Sequence, residues 1–547
     1  MRSKHTLLQS KLMKSATDVL VIGAGPVGLT MACELARHGV RCRLLDKAPA
    51  PSSTSKALGI FPRTLEVFQM MGIVEDVLDA GLKLDGIAFY NKSGQIGHIG
   101  FSCLPCRYRF AISLPQSQTE QILFARLLKH GVSVEREREL IGLSQTGDCV
   151  SATVRSSSDG SEGLVESEWL IGCDGAHSGV RHALNLSFEG EAYSETFLLA
   201  DVRVEGSLDR IHIHLFLAED GIVGVFPFRS ERCRVIASVG GKNENAKASE
   251  PELAEVQELV DHRTSGAIQL SDPVWLSRFH ISHRKIREFR YGRVFLAGDS
   301  AHIHSPAGGQ GMNTGIQDAF NLAWKLGLVI HKRSPVSLLD TYNEEREPVA
   351  KMVLNLTDRL TRMATLQSPF GQQLSNALLP LLTGIHMIED RVAETMAEIG
   401  IHYRRSSAVS GKTGRALHAG DRAPDCILFN GASDEAILLL DRLRKPMHQL
   451  LLFAGNSTRD AIDFDEHRKL LAGLYAQVMD TLLIVHDKSS ALPDALFDPD
   501  GTVHALYEVH PTGFVLIRPD GYIGFRGGGN HLEALREYLS RLFLTGN

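Results

Sequence analysis

Apolar residues recur along this chain in short bursts that break at glycine, and the spacing after each break sets the element it predicts. Asp18 to Ile22 is an apolar run, and Gly23-Ala24-Gly25-Pro26-Val27-Gly28 interrupts it. Leu29 to His38 then has helical spacing, and Val40 to Leu45 is apolar again before Asp46 and Lys47. That order reads as strand, glycine turn, helix, strand, acid. Trp169 to Gly172 is a second apolar strand, entering Cys173-Asp174-Gly175 with Arg181 beyond it. Arg293 to Ala297 is a third, followed by Gly298-Asp299 and a glycine-rich turn through Asn313. Helical spacing without proline runs on from Thr314 to Val329. Between the first two units, Ser55-Lys56-Ala57, Pro62 to Glu66 and Leu114-Pro115-Gln116 read as turns and a helix start.

From 195 to 285 the pattern changes to short β-rich runs, Phe197 to Val204, Ile211 to Leu217, Ile222 to Phe228 and Arg234 to Val239, which predict an antiparallel sheet. Leu338 to about Glu398 is helical. The turn Gly420 to Pro424 then opens a separate unit whose strands, such as Leu450 to Phe453, Thr481 to Val485 and Gly513 to Ile517, alternate with helices. No internal repeat or low-complexity tract is present.

The first glycine turn suits a dinucleotide. One glycine permits the tight turn, the next lets a pyrophosphate approach and the third lets helix and strand pack closely; an acid at Asp46 can reach ribose hydroxyls. The segment from Gly298 to Asn313 suits a flat polar ligand, because the first amides of a helix point unpaired N–H groups and a positive dipole end at it. Alone, that segment is also compatible with an ordinary strand-turn-helix.

Composition narrows the partners. The chain has 547 residues, 43% hydrophobic and 22% charged, with a net charge of −6, which is ordinary for a globular protein of two to four domains. No basic stripe interleaved with aromatics marks a nucleic-acid surface. Eight cysteines are too few for a disulfide scaffold. Cys103 and Cys106 have redox or zinc spacing, but no second Cys or His pair lies nearby; they read as loop thiols, and no metal is expected. Residues 1–16 carry Arg2, Lys4, Lys11 and Lys14 without a signal-peptide core, and no apolar run reaches membrane-spanning length. The leader is expected to be a frayed tail, with Met13 as an alternative start, and the protein cytoplasmic without stable membrane association.

Together these segments resemble the group A flavoprotein monooxygenases, the aromatic hydroxylases with the para-hydroxybenzoate hydroxylase fold, over nearly the whole chain. The resemblance implies an α/β fold. A Rossmann-like FAD-binding domain over 17–190 and 286–350 would carry an inserted antiparallel-sheet substrate domain over 191–285, joined by part of 85–107. A helical segment over 351–411 and a thioredoxin-like C-terminal domain over 412–547 would follow. Leu338 to Arg346 and Ile517 to Tyr522 match the longer members of the family. The tail has no Cys pair at a redox position, so its implied role is structural or oligomeric.

By the same resemblance FAD would be held by Gly23, Gly25, Pro26, Val27, Gly28, Asp46 and Lys47, by Lys56, Ala57, Arg63 and Gln116, and by Asp174 and Gly175. The third motif would add Gly298, Asp299, Pro306, Gly309, Gln310, Gly311, Met312 and Asn313. Asp299 and Gln116 would meet the ribityl chain, Pro306 the oxygen-reaction side, and the helix start the reduced ring. Lys56 and Arg63 would neutralise pyrophosphate or receive NADPH or NADH, although Arg63 also fits a plain helix-start charge. Family members usually carry Arg where this chain has Lys56, and Lys lacks the bidentate fork.

The implied reaction is hydroxylation of a phenolic or polyketide-like aromatic by O2 through a flavin C4a-hydroperoxide, by a monomer or homodimer. A base that makes the phenolate would help. His212, His214 and Arg229 are the candidates on the β-rich region, with His212, His214 and Phe216 sharing one face at period two; a strand histidine is more often structural or exposed than catalytic. A Baeyer–Villiger oxygenation or a dehydrogenation on the same fold, and a flavin-binding protein without turnover, are the competing readings.

Overall fold

The computed structural model describes residues 17–544 apart from 55–56, 240–249, 306–308, 366–385, 412–413, 431–434, 456, 487–491 and 493. Its first sheet is built around Thr17–Ile22, whose apolar side chains are buried because a parallel neighbour lies on each side: Glu162–Gly172 on one, Cys42–Leu45 on the other. Val294–Leu296 adds a further parallel strand beside Glu162–Gly172, and Val134–Glu135 one beside Cys42–Leu45. In register, Ile22 pairs with Leu45 and with Gly172, and Gly172 with Leu296. Four strands therefore end at one edge, and the glycine turn, Asp46, the Asp-Gly turn and the Gly-Asp turn all begin there.

Helix Pro26–Arg37 starts with proline at its first turn, where a missing N–H costs nothing. It packs on helix Gly311–Ile330, which is buried almost throughout because further elements cover its other sides.

A second sheet runs in the order His302–Ile303, Ile268–Lys285, Glu189–Gly206, Arg232–Val239, Gly221–Phe228, His212–Ala218, Gly86–Asn91, Gly94–Gly100. Its pairs are antiparallel except His212–Ala218 with Gly86–Asn91. Alternation gives it two distinct faces. One, with Leu198, Ala200, Val202, Phe216, Val223, Val225, Val235 and Ala237, is closed by Val256 and Val260 of helix Leu253–Thr264. The other carries Phe197, Leu199, Ile222, Phe226, Ile236, Trp275 and Phe279, and Ile222, Phe226, Ile236 and Trp275 on it are only half-buried.

The third sheet places His448–Phe453 between parallel Met479–Val485 and antiparallel Gly513–Ile517, with helices Thr458–Tyr475 and Leu532–Leu542 alongside. One hydrophobic core runs without a break from Val19 of the first sheet to Phe543 at the end of this unit. Charges are buried where the units meet. Arg518 forks onto Glu345 at 2.7 and 2.9 Å and onto Asp520, which also accepts from Asn321 and Trp324. Lys325 donates to Glu345 at 2.8 Å, and burial pulls its pKa down to about 8. Each charge there is matched, the condition under which burying it is tolerable.

Candidate functional site

At the shared strand edge the three motifs hold one another in place. Gly23 has φ +99°, a conformation that favours glycine, and a Cβ there would lie 2.5 Å from the Cys173 carbonyl oxygen. A Cβ on Gly28 would lie 1.8 Å from the Gly23 oxygen, so helix and turn meet backbone to backbone. Gly25 has nothing within 4 Å of a Cβ position, leaving an open cradle above the helix start. That is the room a pyrophosphate needs, and the residues present fit one. Asp46 accepts from Ala24 N at 2.6 Å and Ala48 N at 2.8 Å, with Arg136 at 3.6 Å, so it ties the glycine turn to the second strand. Lys47 is exposed beside it.

The Asp-Gly turn is set by Asp174, which accepts from Ser178 Oγ at 2.5 Å and Val180 N at 3.1 Å; burial raises its pKa despite these bonds. Gly175 has φ +76° with open space around it. Arg181 donates to the Ser300 carbonyl at 3.2 Å and to that of Ala176 at 2.8 Å, joining the second motif to the third. In the third, Gly298 has φ +61° and donates its N–H to Asp318, while Ser300 Oγ donates to the Gly172 carbonyl at 2.6 Å. Asp299 projects from this turn and is exposed at the strand tip. Val27 locks the assembly, since a Cβ on Gly298 or Gly315 would meet its Cγ2 at 2.8 or 2.7 Å.

The start of helix Gly311–Ile330 has no side-chain cap. Asn313 accepts from Phe61 N at 3.0 Å and donates to the carbonyls of Gly59 and Gly309, tying the helix to strand Gly59–Ile60. Gln310 donates to the Thr395 carbonyl, and its Oε1 is buried without a partner among the described residues, which leaves an acceptor open to a polar ligand. Met312 is buried and Gly309 exposed. Ala57 accepts from Gln116 N at 3.1 Å, and Gln116 donates to Glu120. Lys56 and Pro306 lie outside the described residues.

Several placements depart from expectation. Arg63 is buried, ion-paired with Glu66 at 2.8 Å, bonded to the Asp520 carbonyl at 2.6 Å and stacked on Tyr522, so its guanidinium sits at the junction with the C-terminal unit. His212, His214 and Phe216 do share a face, but it is the one under helix Leu253–Thr264. Ile213 and Leu215 point instead to the Phe61 side. His214 is held by Tyr90 and the Asp209 carbonyl, and His212 by Asp209, so neither is a base for a ligand on the half-buried face. Arg229 is exposed and donates to the Gly81 carbonyl.

Residues not singled out from the sequence take their place. Arg234 lies on the half-buried face, forked onto Asp201 with two 2.8 Å bonds, 5.4 Å from the Trp275 ring and 3.5 Å from the Ala57 carbonyl. Counting parity from Phe226, its register partner, would have found it. The pKa of His304 is pulled down to about 4 by burial, with Nδ1 on the Ser305 carbonyl and Nε2 buried near Gly311 without a partner among the described residues. Glu398 accepts from Thr314 and Gln317 of the long helix, and burial raises its pKa to about 7. Asp318 joins His302 at 2.8 Å to Arg346 at 2.6 Å beneath the third motif.

Comparison with known proteins accounts for this arrangement. A family model described as an FAD binding domain matches residues 16–357. The chain is 35% identical to the 6-methylpretetramide 4-monooxygenase of Streptomyces rimosus, over 96% of this chain and 94% of that one. It is 32% identical to the pentachlorophenol 4-monooxygenase of Sphingobium chlorophenolicum, over 93% and 94%. The solved structure of the anhydrotetracycline hydroxylase OxyS from Streptomyces rimosus superposes with a TM-score of 0.77 at 28% identity, covering 96% of this chain and 99% of that one. Because the match spans more than half of the chain and the relatives are monooxygenases along nearly their full length, the chain belongs to the FAD-dependent aromatic hydroxylases, the group A flavoprotein monooxygenases.

Proposed function

We propose that this protein uses FAD, NAD(P)H and O2 to hydroxylate a flat phenolic or polycyclic, polyketide-like aromatic. The observation that carries the reading is that the third motif's helix start is tied through Asn313 to Gly59 and Phe61, and Phe61 packs with Phe226 of the half-buried sheet face, on which Arg234 also approaches the Ala57 carbonyl. Bound FAD supplies reduction by the nicotinamide cofactor, O2 activation and oxygen transfer.

The protein's part is binding, orientation and charge. The open position at Gly25 admits the pyrophosphate, with Lys47 and Lys56 supplying positive charge. Asp299 and Gln116 accept from and donate to the ribityl hydroxyls. The uncapped amides at Gly311 to Asn313 stabilise negative charge on the flavin pyrimidine ring. Phe226, Trp275, Ile222 and Ile236 take the flat face of the substrate and exclude water. Arg234, held in place by its ion pair with Asp201, favours an ionised substrate oxygen, the form that reacts faster with an electrophilic oxygen. The relatives named for 6-methylpretetramide and pentachlorophenol support a phenolic substrate class.

The third sheet and its flanking helices support a thioredoxin-like C-terminal domain over 412–547. Cys426 is its sole cysteine, so we assign this domain a structural or oligomeric role. We propose the remaining boundaries as 17–190 with 286–350 for FAD, 191–285 with part of 85–107 for substrate, and 351–411 for the helical segment. We place the enzyme in the cytoplasm as a monomer or homodimer; no helix among the described residues is long and apolar enough to cross a membrane.

The test is a screen of phenols, anthraquinones and tetracyclic polyketides with yellow, flavin-loaded protein. The correct class accelerates NAD(P)H oxidation and carries label from isotopic O2 in its product. A stimulated oxidation whose product takes no label rejects monooxygenation.

A further inference from the structure

In the C-terminal unit three strands run parallel, His448–Phe453 beside Met479–Val485 and that beside Leu496–Phe497. They end together, so the residues that follow, Ala454, His486 and Asp498, gather at one edge. The crevice outside the carboxyl ends of parallel strands is where α/β sheets bind ligands. His504 reaches back to this edge from the short helix Thr502–Leu506, whose first turn Asp498 caps by accepting from His504 N at 2.8 Å.

Donor atoms crowd here. His504 Nδ1 lies 2.7 Å from Asp498 Oδ2, and its Nε2 lies 3.2 Å from the Ala454 carbonyl oxygen. His486 Nδ1 lies 3.2 Å from the Asp498 carbonyl oxygen, and the two imidazole rings stack 3.7 Å apart at 24°. One donor atom from each of His486, Asp498 and His504 lies within 4.8 Å of the others, and the side chains of Asp498 and His504 are each only 3% exposed.

A count of hydrogens shows what is missing. Both ring nitrogens of His504 face oxygens, a carboxylate and a carbonyl, that only accept, while a neutral imidazole has one N–H to give. With that N–H on Ala454, a lone pair at Nδ1 faces a carboxylate oxygen, an arrangement relieved either by a second ring proton or by a bound cation. A ring N–H on a backbone carbonyl is also how a ligating histidine is commonly oriented, and both His504 and His486 have such a carbonyl in reach.

We propose that His486, Asp498 and His504 form a binding site for a first-row divalent cation of the Zn2+ or Co2+ kind. Two imidazoles and one carboxylate suit those ions, and Mg2+ and Ca2+ prefer all-oxygen shells. Four-coordinate Zn2+ wants neighbouring ligand atoms roughly 3.3 Å apart, as follows from metal–ligand distances of about 2.0–2.1 Å. Binding would therefore open the 2.7 Å contact between His504 and Asp498 and draw in His486, the more accessible member. The site is on a different sheet from the flavin motifs and does not rest on the proposed reaction; its place at the strand ends gives it a role in fixing the C-terminal unit.

The experiment uses full-length, flavin-loaded protein stripped with chelator and titrated with Co2+, then Zn2+. The site predicts one equivalent of Co2+ with the strong visible d–d absorption of a four-coordinate ion, displaced by Zn2+, and a raised thermal midpoint. His486→Ala and Asp498→Asn should each weaken Co2+ binding about ten-fold or more with the flavin spectrum unchanged, since even orienting partners contribute on that scale. His262→Ala, at a separate exposed histidine, should bind as the parent does. Absence of the d–d band, or a band of equal strength in His486→Ala, overturns the proposal and leaves His504 as a doubly protonated cap.

Discussion

Arg181 donates to the carbonyl of Ser300 at 3.2 Å and thereby fastens two motifs that lie more than a hundred residues apart. The guanidinium is also stacked on Phe188, 4.0 Å from the ring centroid, so its position is held from the side as well as by its bonds. Arg181→Lys cannot reach both carbonyls with one ammonium. We expect it to bind FAD at least several-fold more weakly, measured by flavin fluorescence on dilution. Unchanged affinity would show that the strand edge holds its turns without this link.

Val27 gives a second handle on the same edge. Gly315→Ala puts a methyl 2.7 Å from Val27 Cγ2 and 3.2 Å from Gly298 Cα, an overpacking that costs about 1–3 kcal/mol. Adding Val27→Ala should recover part of the loss, and a double-mutant cycle on denaturant midpoints reads the coupling. Additive effects would place the strain elsewhere.

On the sheet, Arg234→Lys keeps a charge beside Asp201 but loses the fork, and should raise KM for the aromatic by about ten-fold or more with the flavin spectrum intact. His212→Ala, on the opposite face, should leave substrate-stimulated NAD(P)H oxidation within about two-fold of the parent, an effect of under about 0.5 kcal/mol. A reversal of the two results would mean that substrate sits under helix Leu253–Thr264.

The carboxyl of Glu398 gives a pH dependence of definite sign. Burial raises it from 4.5 to about 7, although Arg346, Thr314 and Gln317 oppose the shift and Asp318 adds to it. The folded state therefore holds a proton that the unfolded chain has lost, and this group's contribution to stability falls as pH rises from about 4.5 through about 7. The full loss is on the order of 3 kcal/mol. Glu398→Gln should flatten the fall in thermal midpoint between pH 5 and 8; an equal slope in both proteins would assign it to another group.

Arg63 separates a cofactor role from a junction role. Arg63→Met leaves Glu66 with Arg422 at 2.8 Å, so the expected loss is in stability, up to about 3–5 kcal/mol, with KM for NAD(P)H unchanged. A raised KM at unchanged stability would return Arg63 to the phosphates.

The three motifs were legible because each is local: a strand tip, a glycine and a helix start within about ten residues of chain. The roles of Arg63, His212 and His214 were not. Period two correctly put His212, His214 and Phe216 together, but which side of a sheet is covered depends on Val256 and Val260, some forty residues on. Arg63 read as a free charge because Asp520 and Tyr522 come to it from the far end of the sequence. Glu398 and the His486, Asp498 and His504 group are likewise assembled by folding, with no spacing to announce them.

The two-faced sheet also constrains how such an enzyme can acquire new substrates. Ile222, Phe226, Ile236 and Trp275 lie on the face opposite Val223, Val225, Val235 and Ala237, so exchanging them leaves the packing against helix Leu253–Thr264 in place. An inserted or deleted residue within Gly221–Phe228 would instead flip the side chains beyond it, exchanging the positions packed under helix Leu253–Thr264 with those on the half-buried face. Specificity in this scaffold is therefore free to drift by substitution while strand length stays frozen.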